Sequence, residues 1–128
     1  MATIGIDASR ANREQKTGIE WYAYHLLNAM KPISEHTDRF LLYTDTSLRD
    51  ALADCPSHWS ERVLRWPPRR FWTQGRLSLE MIARSPDLLF IPSHVIPIGF
   101  GKRVVLTCHD VGFERHAELY PRWERAYH

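Results

Sequence analysis

Short apolar runs and polar loops alternate along the chain. The first run spans residues 3–7 and ends on a carboxylate. The last two runs lack the polar alternation of a strand with one solvated face, which is typical of strands that are covered on both sides in a parallel sheet. Five β-strands are predicted, at residues 3–7, 39–44, 62–66, 87–92 and 103–108.

Helical spacing separates several of these runs. Apolar residues from Ile19 to Met30 fall at offsets of 0, 3, 4, 7, 8 and 11, which form one stripe of a helix. Thr17 is the predicted N-cap, and Pro32 follows the end of the stripe. Strands that alternate with helices predict an α/β fold, a Rossmann-like doubly wound parallel sheet with right-handed crossovers. Further helices are predicted at 47–53, at 71–84 and from Pro121 onward.

Composition narrows the class of protein. A chain of 128 residues that is 44% hydrophobic can build one core, which excludes two complete domains. The chain has neither a secretory signal nor an apolar stretch near the ~20 residues that span a bilayer. Cys55 and Cys108 are too few for a disulfide framework, so a reducing, cytoplasmic location is expected. A net charge of +2 gives no reason to expect nucleic acid as a partner.

Arginine and aromatic residues are concentrated between residues 62 and 76. Such a patch can contact anionic headgroups at the inner face of a membrane, or hold nucleic acid through stacking. A solvated loop whose aromatic rings pack back onto the sheet explains the same pattern. The residues assigned to a peripheral membrane contact are Arg62, Arg65, Arg69, Arg70, Trp72 and Arg76.

Ligands of doubly wound sheets bind beyond the carboxyl ends of the strands. Thr17, Gly18 and Ile19 begin the first helix after such an end, where free N–H groups and the helix dipole favour a phosphate. An ordinary capped helix gives the same pattern. His109 follows the last strand and can hydrogen-bond a substrate hydroxyl or satisfy local backbone groups. Cys55 and His58 supply only half of a zinc motif, so no metal site is predicted.

Several segments together resemble one family. Residues 4–10, 17–22, 92–97 and 104–110, with 118–121, are similar in order and spacing to the amino-terminal half of family 4 retaining glycosyltransferases. The resemblance covers nearly the whole chain. It implies the GT-B architecture, in which two Rossmann-like domains face each other across a cleft. Residues 1–128 would form the first, acceptor-side domain, incomplete at its C-terminal end, and the donor-binding domain would be absent.

The resemblance also implies an activity. The enzyme would transfer a hexose from a nucleotide sugar to a glycan or lipid-linked acceptor with retention, and would need no metal or other cofactor. Gly18, flanked by Thr17 and Ile19, would lie near the donor diphosphate, His109 would contact the transferred sugar, and Asp110 would position that loop. This domain alone would be inactive. The alternative is a non-catalytic module that binds a glycan or an anionic lipid for a partner chain.

Overall fold

The chain folds around one parallel β-sheet. A computed structural model describes residues 1–68, 70–93 and 95–109. Its strands are β1 (Thr3–Asp7), β2 (Arg39–Thr44), β3 (Trp59–Val63), β4 (Leu88–Ile91) and β5 (Arg103–Leu106), and its helices are α1 (Gly18–Met30) and α2 (Ser78–Ala83). The strands lie in the order β3-β2-β1-β4-β5, and every neighbouring pair is parallel. The predicted α/β class is confirmed.

Helices cover both faces of this sheet. Because successive side chains of a strand point to opposite faces, each strand contributes to two cores. On one face, Ala23 and Leu27 of α1 pack in a cluster that includes Ile6 and Leu42. On the other, Met81 of α2 packs in a second cluster with Tyr43, Leu89 and Ile91. This two-sided packing is the doubly wound arrangement that the continuous apolar runs predict.

The strand order locates a crevice at the centre of the sheet. From β1 the chain proceeds to β2 and β3 on one side, and β4 and β5 lie on the other side. The order therefore reverses between β1 and β4, and ligands of such sheets bind beyond the carboxyl ends of the strands at this point. None of the helices formed by the described residues has the length and apolarity needed to cross a bilayer.

Helix α1 begins and ends where the apolar stripe predicts a helix. Its far end is fixed by Lys31, whose ammonium group donates to the carbonyl oxygens of Ala51, Leu52 and Asp54 at 2.7, 3.3 and 2.7 Å. Burial lowers the pKa of Lys31. These bonds hold the end of α1 against the segment that precedes β3.

The helix predicted at 47–53 is wrong, because only a 3₁₀ turn forms, at Asp50–Ala53. Side chains from other elements take the backbone N–H groups at its expected start. Leu48 N donates to Glu61 Oε2 at 3.0 Å, and Arg49 N donates to Asn12 Oδ1 at 2.8 Å. Asp50 has a φ of 52°, which an α-helix does not allow.

Strand β3 lies three residues earlier than the apolar run at 62–66 indicates. Its position is set by Trp59, which is paired with Phe40 of β2 and stacks on it with 4.9 Å between ring centroids. Because β3 is an edge strand, its Ser60 and Glu61 stay exposed.

The helix predicted at 71–84 forms, but it begins two residues later, because Phe71 has a φ of 57°, and its first turn is wider than an α-helix. Residues Thr73–Leu77 form a π-turn that leads directly into α2. Leu77 N bonds to Trp72 O, five residues back, at 2.9 Å. The helix predicted from Pro121 lies outside the described residues.

Candidate functional site

Three elements meet at the crevice between β1 and β4. His109 follows β5, and its Nε2 lies 2.8 Å from the carbonyl oxygen of Pro92, which directly follows β4. The imidazole ring also stands perpendicular to the ring of Tyr22 in α1, with 4.7 Å between centroids. The structure therefore brings His109 and the start of α1 to the same edge of the sheet.

The contact with Pro92 fixes which nitrogen of His109 is protonated. A carbonyl oxygen only accepts hydrogen bonds, so Nε2 carries the proton and donates it. Within the described ranges, Nδ1 of this ring has no hydrogen-bond partner, and the side chain is only partly buried. In the neutral ring, Nδ1 is therefore an acceptor without a partner among the described residues.

Thr17 occupies the N-cap position of α1, but its side chain does not cap the helix. Its hydroxyl donates instead to Glu20 Oε2 at 2.7 Å. The first bond of the helix runs from Trp21 N to Thr17 O at 2.9 Å. Backbone N–H groups of Gly18 and Ile19 precede that bond and have no acceptor among the described residues. A Cβ atom on Gly18 would meet nothing within 4 Å, so the space beside this turn is open.

Glu20 places a negative charge at the positive end of α1. Burial raises the pKa of this carboxyl, but hydrogen bonds from the Thr17 hydroxyl and from backbone amides, with the charge of Arg10, lower it overall. Sequence reasoning missed Glu20, although the Thr17-x-x-Glu20 spacing of a capping box could have indicated it. A phosphate at this helix start would therefore meet a carboxylate that is already there.

Asp7 ends β1 beneath the same loop. Its carboxylate is buried and accepts from Ser9 Oγ at 2.6 Å and from Ser9 N at 3.1 Å. Burial raises the pKa of Asp7, and the bonds from Ser9 reduce that rise without cancelling it. These bonds hold the chain as it leaves the sheet.

The arginine and aromatic patch predicted between residues 62 and 76 is partly used by the fold. Trp72 is 7% exposed and its indole donates to Leu64 O at 2.8 Å, so its assignment to a membrane contact is wrong. Arg62 and Arg76 lie 2.9 and 3.5 Å from the buried carboxylate of Glu80. Three of the six assigned residues thus stabilise the α2 side of the domain.

The remaining part of the patch is at the surface. Arg65 and Arg70 are exposed. Trp66 lies between them and covers Gly75, where an added Cβ would come within 2.9 Å of the indole. Arg69 and Asp110, both named from the sequence, lie outside the described residues.

Cys55 and His58 do not lie close to Cys108 and His109. Cys55 and His58 precede β3 and therefore lie at the amino edge of the sheet, whereas Cys108 and His109 follow β5 at the carboxyl edge. Neither cysteine forms a disulfide bond. In the part of the chain that the structure describes, no three metal-ligating side chains come together.

Comparison of the chain with protein-family models, with curated proteins and with solved structures finds no match.

Proposed function

We propose that the chain is the acceptor-side domain of a retaining glycosyltransferase, which transfers a hexose from a nucleotide sugar to a glycan or lipid-linked acceptor. The observation that carries the proposal is the contact of His109 with α1 and with Pro92 at the crevice. The resemblance of the motifs around Gly18 and His109 to family 4 glycosyltransferases supplies the reaction class.

In this proposal the start of α1 faces the donor diphosphate. The free N–H groups of Gly18 and Ile19 donate to it, and the helix dipole favours its charge. The absence of a side chain on Gly18 lets the phosphate approach the backbone. The carboxylate of Glu20 opposes that binding, so cationic groups from a donor-binding domain are needed to hold the leaving nucleotide. This domain alone is then inactive.

His109 acts on the transferred sugar. Its Nε2 is engaged by Pro92 and its ring is held by Tyr22, so Nδ1 is oriented before substrate binds. An acceptor atom held in place loses little entropy when it receives a sugar hydroxyl. By resemblance, Asp110 positions the loop that carries His109. By the same resemblance the reaction needs neither a metal nor a bound cofactor, and the nucleotide sugar is a co-substrate.

Titration with UDP tests the donor site, in an enzyme that combines this labelled domain with a donor-binding domain and is followed by NMR. The amide resonances of Gly18 and Ile19 should shift, and Gly18→Ala should weaken binding by about tenfold, since a methyl group enters the path of the phosphate. The matched control is Gly101→Ala, because a Cβ on Gly101 also meets nothing within 4 Å and that residue precedes β5 at the opposite edge. Equal UDP affinity in both variants and the parent chain would contradict the donor site.

Turnover tests the role of His109. In an enzyme that combines this domain with a donor-binding domain, His109→Ala should lower kcat strongly. His25→Ala is the control, because His25 stacks on Trp21 along α1 and does not contact His109. Unchanged turnover in His109→Ala rules out the assigned role.

The exposed Arg65 and Arg70 favour a second candidate, a module that binds anionic lipid. Neither guanidinium group has an ion pair in the described part of the chain, and the neighbouring Phe71 is 58% exposed. Sedimentation with phosphatidylglycerol vesicles should retain the chain, and Arg65→Gln with Arg70→Gln should release it, whereas Arg39→Gln should not. Equal binding to neutral phosphatidylcholine vesicles would exclude the electrostatic contact.

A further inference from the structure

A second cleft lies on the other side of Asp7 from His109. Three loops form it at the carboxyl ends of β1, β2 and β3. It is lined by Ser9, Arg10, Arg13, Asp45, Phe71 and Thr73. It shares no residue with the contact between His109 and α1, so it is a separate position along the same edge of the sheet.

Two arginine side chains of the cleft have no close ion pair among the residues that the structure describes. Over the described residues, neither Arg10 nor Arg13 forms an ion pair with a carboxylate within 4.0 Å. Arg10 lies close enough to Asp7 for its charge to act on that carboxyl. Burial raises the pKa of Asp7, and the positive charge of Arg10 reduces this rise. Asp45 is the one carboxylate among the lining residues, so two guanidinium groups face one carboxylate inside the cleft. Outside the lining, the charge of Arg10 also acts on the carboxyls of Asp7 and Glu20.

The loop that presents these arginines is anchored. Asn12, between them in sequence, is buried, and its amide nitrogen donates to Thr44 Oγ1 at 3.2 Å and to Ser47 O at 3.0 Å. Its Oδ1 accepts from Arg49 N at 2.8 Å. Because the backbone is already fixed, a ligand at the arginines would cost little ordering entropy.

The volume of the cleft limits its occupant. It measures about 50 Å³. At roughly 10–15 Å³ for each water, this corresponds to about four waters. One tetrahedral anion fits in this space. A phosphate monoester carries about −1.5 to −2 charge and accepts the paired bonds that guanidinium groups donate.

We propose that this cleft binds a phosphate monoester on the acceptor, so that the acceptor is a phosphorylated sugar or polyol whose ring lies outside the cleft. The assignment of the phosphate to the acceptor substrate rests on the proposed function, whereas the phosphate site itself does not. The chemistry of two guanidinium groups opposite one carboxylate carries the assignment.

Titration of the chain with glucose 6-phosphate, glucose and glucuronate tests the site. Only glucose 6-phosphate should bind, and its affinity should fall as salt is added. Arg10→Gln and Arg13→Gln should each weaken binding by about tenfold, since each removes a charge-assisted hydrogen bond. Asp45→Asn should strengthen binding, because it removes the opposing charge. The control Arg39→Gln, at the amino edge of the sheet, should change nothing.

Each contrary result overturns the proposal. Equal binding of glucuronate contradicts the phosphate class, and unchanged affinity in both arginine variants contradicts the location. The side chains of Arg10 and Arg13 form no hydrogen bond within the described residues, so their loss should not destabilise the fold. Urea midpoints equal to that of the parent chain verify that both variants fold. Failure of the donor site is distinguishable: Gly18→Ala should affect UDP alone, and Arg13→Gln should affect glucose 6-phosphate alone.

Discussion

The imidazole of His109 stands at 86° to the phenol ring of Tyr22, with 4.7 Å between their centroids. This contact joins the end of the last described strand to the second turn of the first helix. Edge-to-face pairs of this kind contribute roughly 0.5–1.5 kcal/mol beyond the area that they bury. The orientation of His109 is therefore set by the fold before any ligand arrives.

Removal of the phenol ring should be detectable at the imidazole. In Tyr22→Leu, the ring-proton resonances of His109 should shift, because the ring current of Tyr22 is lost, while those of His25 should not move. Trp21→Leu is the matched variant, since Trp21 stacks on His25 with 5.5 Å between centroids and should shift only His25. If Tyr22→Leu shifted the resonances of His25, or Trp21→Leu shifted those of His109, the contact between Tyr22 and His109 would be contradicted.

The spacing of apolar residues predicted correctly the elements whose bounds are set by their own sequence. The stripe from Ile19 to Met30 gave both ends of α1, and the apolar runs gave β1 and β2 with their observed bounds. Strand β3 was misplaced because its register depends on the stacking of Trp59 on Phe40, a contact between distant residues. The false helix at 47–53 has the same cause, since Asn12 and Glu61 take its backbone donors.

The candidate site shows the same division. Strand-end position indicated His109, and the helix start indicated Gly18, because both follow from the order of the elements. The burial of Trp72 depends on side-chain orientation, which composition does not reveal. The carboxylate of Glu20 could have been predicted from its capping-box spacing to Thr17. Arg10 and Arg13 lie in a loop with hardly an apolar residue, so only the folded chain brings them into a cleft with Asp45.

Two glycines should respond differently to an added methyl group. A Cβ on Gly5 would lie 2.7 Å from Tyr43 Cε2 and 2.9 Å from Pro86 Cγ. We expect Gly5→Ala to lower the free energy of unfolding by about 1–3 kcal/mol through overpacking. Gly18→Ala should change it by no more than about 0.5 kcal/mol, since the added atom meets open space. Urea denaturation measures both, and equal losses would contradict the packing around Gly5.

Glu80 is a buried carboxylate that depends on its arginine partners. Arg62→Gln leaves it with Arg76 alone, at 3.5 Å, and should cost about 1–2 kcal/mol. This cost is moderate because a third of the Arg62 side chain is exposed, which allows solvent to screen the pair. A double-mutant cycle with Glu80→Gln should give a coupling energy near 1 kcal/mol. The exposed neighbour Arg65→Gln is the control, and a coupling of zero contradicts the pair.

Asp7 should make the stability of the domain depend on pH. Burial raises its pKa above 3.8, so the folded state holds the proton more tightly than the unfolded state. The stabilising contribution is complete below that value and is lost as pH rises through the folded-state pKa. Asp7→Asn cannot ionise, yet its oxygen can still accept both bonds from Ser9. The stability of the variant relative to the parent chain should therefore increase from acidic to neutral pH.

Urea denaturation across that pH range measures the effect of Asp7. Asp50→Asn is the control, because Asp50 is exposed and asparagine tolerates its φ of 52°. Its stability should follow that of the parent chain at every pH. A difference between Asp7→Asn and the parent that stays constant with pH, or that falls as pH rises, would show that Asp7 is ionised in the fold at no net cost. Asp7 would then belong with Arg10 as a paired charge rather than with the buried core.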